Sequence, residues 1–422
     1  MADMPLQPSN ATRATPSPAP AGPEPDCGAS GIPAILEDLR AGRMVILVDD
    51  EDRENEGDLV VAAQCVTPEI VNFMLREARG VLCVALEPAV CDRLNLYPQA
   101  TTNTATLGTA FTVSVDGHPR FGITTGVSAA ERAKTIRLLM DPATQADDLA
   151  RPGHIFPLRA RAGGVLERIG QTEGSVDLAR LAGLTPAAAI IEIMAEDGTM
   201  ARRPQLDAFC AKHGLRICSV AELVQYRLRH ETLITRLSSH RLRLDAGTFD
   251  LHVYQTQGDP LIHVALTCGP IGRRDGAGRA VLCPEPTLVR MHTENLLGDV
   301  FGVSGAQTAQ DLRNSLAMIQ AAGRGALVYL RQESRGLALL DHLRHLTPTG
   351  TLAAPDASAL PGEAAASQKE MQYRRDLGIG AQILRDLGLT QLRVLTNHPK
   401  QHHAVEAFGL RVVEQVPIAA PT

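Results

Sequence analysis

Ten consecutive residues, Asp49-Asp-Glu-Asp-Arg-Glu-Asn-Glu-Gly-Asp58, carry seven carboxylates and one arginine. Apolar residues 44–48 precede this run and apolar residues 59–63 follow it. A short apolar run bounded by polar residues reads as a buried strand. The acids therefore fall on a loop at a strand end, pinned to a core on both sides. Crowded like charges repel and raise one another's pKa. Mg²⁺ relieves such strain, since it takes oxygen ligands and usually engages one or two carboxylates plus substrate oxygens. An acidic run alone is more often a solvated turn; here the flanking apolar runs favour a site.

At 422 residues the chain is long enough for about two to three domains. A hydrophobic content of 44% suffices for packed cores. The net charge of −6 argues against bulk nucleic-acid binding. With no tryptophan and 3% aromatics, base-stacking platforms are not expected. No apolar run approaches the roughly 20 residues of a membrane helix. The eight cysteines include no CxxC pair, which fits neither a disulfide framework nor a common zinc site. They read as small core residues of a protein in the reducing cytoplasm.

Residues 1–30, rich in Pro, Ala, Ser and Thr, read as a disordered tail. A short helix over 35–39 precedes the first strand. Thr67-Pro68 opens a second helix, closed by Gly80 before a strand over 81–86. Ser128 and Glu131 form a capping box for a helix to Met140, and Ser219 with Glu222 forms another for a helix to His230. Thr124, Thr125 and Gly126 precede the first of these helices and make a natural phosphate seat. Further on, 306–322 reads as a helix, 326–330 and 392–395 as strands, and 346–370 as an irregular loop. The strand–helix alternation argues an α/β (α+β) architecture, divided into the tail, 31–232 and 233–422.

The acidic run resembles the signature of 3,4-dihydroxy-2-butanone-4-phosphate synthase, a lyase of riboflavin synthesis. Matching segments follow in order: Gly122-Ile-Thr-Thr-Gly-Val-Ser-Ala-Ala-Glu-Arg132, Arg151-Pro-Gly-His-Ile-Phe-Pro-Leu-Arg159 and Ala162-Gly-Gly-Val-Leu166. The resemblance covers roughly residues 32–230. It implies a homodimer that converts D-ribulose 5-phosphate to 3,4-dihydroxy-2-butanone 4-phosphate and formate, with Mg²⁺ or Mn²⁺. It assigns metal binding to Glu54, substrate contacts to Arg53 and Asp58, and the substrate-binding turn to Arg168 through Thr172. His154 and Glu192 match acid–base residues, Glu56 a second carboxylate, and Thr125 falls in the phosphate seat. Three departures stand out. The family's second metal ligand, a histidine, is Gln171, whose amide oxygen can still serve Mg²⁺. The family's His-Gly-Ser-Gly reads Glu77-Ala-Arg-Gly80. A pocket tyrosine is Leu107.

Residues 233–422 resemble GTP cyclohydrolase II in a degraded form. That family holds zinc on three cysteines within a motif similar to Arg290-Met-His-Thr-Glu-Asn-Leu-Leu-Gly-Asp-Val-Phe-Gly302. The cysteine positions fall at Asn295 and near Ala306 and Thr308. Gln332-Glu-Ser-Arg-Gly336 keeps most of a guanine-binding strand. The family's Asp-x-Arg pair falls at Tyr373 and Arg375, and a lysine of the last nucleotide-binding turn falls at Gln401. No zinc and no GTP hydrolysis are expected.

The leading reading is therefore a dihydroxybutanone phosphate synthase carrying a retired cyclohydrolase-like half. The alternatives are a non-catalytic paralogue that regulates or scaffolds the pathway, or a lyase or isomerase acting on another sugar phosphate.

Overall fold

The computed structural model describes residues 31–50, 53–105, 107–256, 262–303, 307–331, 363–397 and 408–419. The tail, residues 346–362 of the expected loop, Ala306, Gln401 and 332–336 lie outside them.

Two mixed seven-stranded sheets follow one another along the chain. The first contains β1 (Val45–Val48), β2 (Gly57–Ala62), β3 (Cys83–Leu86), β4 (Val115–Gly117), β5 (Leu149–Arg159), β6 (Ala187–Glu192) and β7 (Ile217–Ser219). Their order in the sheet is β4-β5-β3-β6-β2-β1-β7. β1 and β2 are fully buried, as strands covered on both faces must be. Val45 and Leu47 face a core built with α1 (Ile32–Arg40), α5 (Gln171–Leu181) and α7 (Val220–His230). Ile46 and Val48 face the opposite core, built with α2 (Pro68–Phe73), α3 (Pro88–Arg93), α4 (Ala129–Met140) and α6 (Arg203–His213).

The second sheet contains β8 (Ile234–Leu244), β9 (Gly247–Thr256), β10 (Ile262–Cys268), β11 (Thr287–Thr293), β12 (Gly325–Leu330), β13 (Gln391–Leu395) and β14 (Arg411–Val416). It is ordered β14-β13-β11-β12-β10-β9-β8. The short α8 (Leu296–Asp299) and α9 (Thr308–Ala321) follow β11, and α10 (Glu363–Asp386) precedes β13. The core on the α1, α5 and α7 side continues into this half through Leu233, Val289, Leu377 and Ile383.

Two expectations need correction. The helix opened at Thr67 ends as one π-turn, Met74–Ala78, capped by Arg79 in the left-handed region at φ 71°. Gly80 is not the cap. A Cβ there would lie 2.4 Å from the Glu192 carbonyl oxygen, so the residue is small to let β6 approach. The following strand starts at Cys83, because the Val81 amide is taken by the Glu192 side chain. The loop expected over 346–370 also ends sooner: residues 363–370 are already helical in α10. Their Glu, Ala, Gln and Lys residues are strong helix formers, and a composition window that includes the preceding prolines hides this.

Candidate active site at the end of the first sheet

The acidic loop is the connection between antiparallel β1 and β2. It turns about Asp49, whose side chain is 1% exposed. The Asp49 carboxylate accepts from Arg53 Nη1 at 2.8 Å and from the amides of Glu54 at 3.0 Å and Glu56 at 2.9 Å. Asn55 takes a left-handed φ of 54°, which asparagine tolerates. Arg202 closes the turn from outside, donating to the carbonyls of Glu54 and Asn55.

Arg53 stands at the centre. Its guanidinium pairs with Glu54 Oε1 at 3.1 Å and donates to Gln171 Oε1 at 2.9 Å. Glu54 and Gln171, assigned to the metal from sequence, thus both direct an oxygen at one positive charge. Gln171 is the first residue of α5 and is buried, and its Nε2 has no hydrogen-bond partner. Turning the amide over would set two donors face to face against Arg53.

Asp58 sits opposite Glu192 in the β2–β6 ladder. Glu192 accepts the Val81 amide at 2.8 Å. Cys83 pairs with Phe156 on β5 and with Ile190 on β6. His154 lies two residues before Phe156 on β5 and Glu192 two residues after Ile190 on β6, both toward the end of the sheet where the Val81 amide sits. Asp58, Glu192 and His154 therefore form a row at one end of the sheet. His154 is oriented by Asp116: its Nδ1 lies 2.7 Å from Asp116 Oδ2, and its amide donates to Oδ1 at 3.0 Å. If Nδ1 carries the proton, Nε2 is left as an acceptor for a substrate. The turn holding Thr125 packs on the same aspartate, since a Cβ on Gly126 would meet Asp116 at 2.1 Å. Thr125 is exposed there. Glu131 takes the Thr124 amide and hydroxyl, which holds its carboxyl down at about 2.

On the other side, Arg168 donates to Glu173 Oε2 at 2.7 Å and to the carbonyl of Leu107 at 3.1 Å. Thr172 and Glu173 are buried at the start of α5, and Glu173 Oε1 also accepts the Arg161 amide at 3.1 Å. Burial raises the Glu173 pKa against the pull of Arg168.

The carboxylates are held against their own charge. Burial lifts Glu54, opposed by Arg53 and reinforced by Asp49. Burial and then the Glu54 charge lift Glu56. Asp58 rises well above the usual carboxylate range, through burial first and then Glu192, Glu54, Asp49 and Glu56. Among the described residues no three His, Cys, Asp or Glu side chains gather in metal-ligand geometry. The donor chemistry nonetheless fits a hard divalent cation: oxygens only, in carboxylate excess, two of them already aimed at a cationic group.

Sequence reasoning missed Asp49, Asp116, Glu173 and Arg202. Asp49 and Glu173 lay inside segments already singled out. Asp116 and Arg202 had no local signal.

In the second half, His292 Nε2 lies 3.1 Å from both oxygens of Asp299, which also accepts from the Tyr329 hydroxyl at 2.8 Å. Asn295, where the resemblance places a family cysteine, caps α8 by accepting the Gly298 amide at 3.0 Å. Thr308, near another such position, begins α9 with its Oγ1 buried and unpartnered.

The family model for 3,4-dihydroxy-2-butanone 4-phosphate synthase matches residues 33–226, and that for GTP cyclohydrolase II matches 235–417. The riboflavin biosynthesis protein RibBA of Aquifex aeolicus is 48% identical over 388 residues, 91% of each chain. The chain belongs to the RibBA family of riboflavin biosynthesis proteins. RibBA of Cytophaga hutchinsonii is 43% identical over 92% of this chain and 91% of its own. Among solved structures, RibBX of A. baumannii, a two-domain 3,4-dihydroxy-2-butanone 4-phosphate synthase, aligns with a TM-score of 0.71 at 39% identity. It covers 92% of this chain and all of its own. Both halves thus carry the fold of the family, and the first is of the synthase type. No helix among the described residues is long and apolar enough to cross a membrane.

Proposed function

We propose that the first half, residues 31–232, converts D-ribulose 5-phosphate to 3,4-dihydroxy-2-butanone 4-phosphate and formate. We further propose that the second half, residues 233–422, has lost zinc-dependent GTP hydrolysis. The observation that carries the first reading is the row of Asp58, Glu192 and Asp116-oriented His154 beside Glu54. Glu54 and Gln171 would hold Mg²⁺ or Mn²⁺, Gln171 by exchanging Arg53 for the ion. When bound, the ion supplies a grip on vicinal sugar oxygens and polarises a carbonyl.

The chain's own groups supply the rest. Asp58, whose pKa burial and its neighbouring carboxylates raise, is placed to donate a proton. His154 accepts a proton at Nε2 while Asp116 holds its ring. Glu192, anchored on the Val81 amide, and Glu56 serve as further acid–base groups. Arg53, Arg168 and Thr172 position the sugar, and Thr125 offers the phosphate seat. Val81, Tyr97 and Val127 expose apolar side chains around this end, which suits cover by a second copy in a homodimer.

Loss of the cyclohydrolase reaction is supported by Asn295 at, and Thr308 near, positions where the resemblance calls for thiolate ligands. Formate release from ribulose 5-phosphate with Mg²⁺, compared with Glu54→Ala, tests the lyase. Formate absent from the variant supports the assignment, and none from the folded wild type refutes it. A non-catalytic role in the pathway is the second reading. It is favoured by one observation, the engagement of the Gln171 oxygen by Arg53.

A further inference from the structure

We propose that the second half is a positioning element for the synthase site, acting through Gln382 and α7 on the loop that carries Arg168. Gln382, on α10, makes three hydrogen bonds to the first half and the connection that follows it. Its Oε1 accepts the Leu233 amide at 2.8 Å, and its Nε2 donates to the carbonyls of Leu228 and Glu231, each at 2.9 Å. These groups belong to the last turn of α7 and the chain just beyond. The side of the turn that faces α10 is buried: Leu228 and Leu233 are buried, and α10 comes so close that a Cβ on Gly378 would lie 2.9 Å from Leu228. Helix C-termini leave carbonyls without intrahelical partners, and burying them unpaired is costly. Gln382 supplies that partner from the other half of the molecule.

The same turn of α7 holds the loop. Arg227 is buried and binds Glu231 through Nε and Nη2, both at 2.8 Å. Its Nη1 donates to the Gly163 carbonyl at 2.9 Å and to Asp177 Oδ2 at 2.7 Å. Asp177 accepts the Val165 amide at 2.8 Å, and a Cβ on Gly164 would strike its carboxylate at 2.3 Å. The loop from Arg161 to Arg168 is thus held twice: by Asp177 and Arg227 at 163–165, and by Glu173 at Arg161 and Arg168. Burial raises Asp177 against the charges of Arg227 and Arg180. Gly163 and Glu167 also line a small cleft with Leu233, Arg375 and Ile379, so the loop faces the second half directly. Arg168 stands beside the site's central arginine: a Cβ on Gly170 would lie 2.5 Å from Arg168 Nη1 and 3.2 Å from Arg53 Nη2. Loosening α7 therefore reaches the site through packed, hydrogen-bonded groups.

Gln382→Leu in the full chain tests this, with Gly378→Ala as the second variant should the first not fold. The readout independent of activity is hydrogen exchange of amides 161–168, expected to accelerate roughly tenfold. The kinetic arm alone rests on the lyase reading. There, KM for ribulose 5-phosphate rises roughly fivefold with kcat changed less, and the effect vanishes in an Arg168→Met background. Unchanged exchange in 161–168, or a KM effect that adds in full to Arg168→Met, overturns the proposal. Wild-type protein that releases no formate refutes the lyase reading instead, and exchange alone then decides.

Discussion

At the scale of single residues, the site stores charge that its fold alone does not neutralise. Asp58 is buried among four other carboxylates. Asp58→Asn keeps the shape and removes the repulsion. We expect it to stabilise the metal-free protein by roughly 1–2 kcal/mol while lowering kcat/KM at least about a hundredfold; thermal melts and formate assays check both. Asp116 plays the opposite part, ordering rather than straining. Asp116→Asn leaves the His154 ring without its carboxylate, and kcat should fall roughly a hundredfold or more with KM little changed. Gln171 is the departure at the proposed metal position. Gln171→His frees Arg53 from the amide and restores an imidazole ligand, so formate turnover should rise; an equal or slower rate would show that Gln171 is not limiting.

At the scale of elements, the site depends on places where two backbones approach. Gly153 precedes His154 in β5, and a Cβ there would lie 2.0 Å from the Val115 carbonyl carbon. Gly153→Ala must push β5 from β4 and misplace the histidine. A loss of about 2 kcal/mol in denaturant unfolding, together with loss of activity, is the expected outcome. Gly174 has the same role for α5, since its Cβ would meet Leu47 Cδ2 at 2.6 Å. That close seat brings Gln171, Thr172 and Glu173 to the level of the acidic loop. The caps read from sequence hold here: Thr67 and Ser219 each accept the expected amide. At Ser128 the box is extended, with Glu131 reaching back to Thr124.

At the scale of the whole molecule, charge and metal are linked. The folded-state pKa values of Glu54, Glu56 and Asp58 lie above their ordinary ones, so these three groups hold more protons in the folded chain than in the unfolded chain once pH exceeds about 4. Their contribution to stability therefore falls as pH rises through that window. A cation takes the place of those protons, so the rise in Tm on adding Mg²⁺ should grow between about pH 5 and about pH 8. A Tm gain that is flat or shrinks with pH would disconnect the carboxylates from the ion. In the second half, elemental analysis of purified protein should find no stoichiometric zinc; a zinc per chain would reveal ligands other than Asn295 and Thr308.

The α/β class, the strands on either side of the acidic loop, the capped helices from Thr67, Ser128 and Ser219 and the membership of both halves in their families were legible in the sequence. They rest on local pattern: apolar runs, caps, and motifs whose residues are neighbours in the chain. The family resemblance named Glu54, Asp58, His154 and Glu192 and exposed Gln171 as a departure. It was silent on which of these meet. Asp58 faces Glu192 because of a ladder register between strands more than a hundred residues apart. Asp116 reaches His154 across a bulge, Gly80 is small for the sake of Glu192, and Gln382 caps a helix in the other half. Such contacts arise from how sheets register and helices seat, which no stretch of chain encodes alone, so only the tertiary structure decided them.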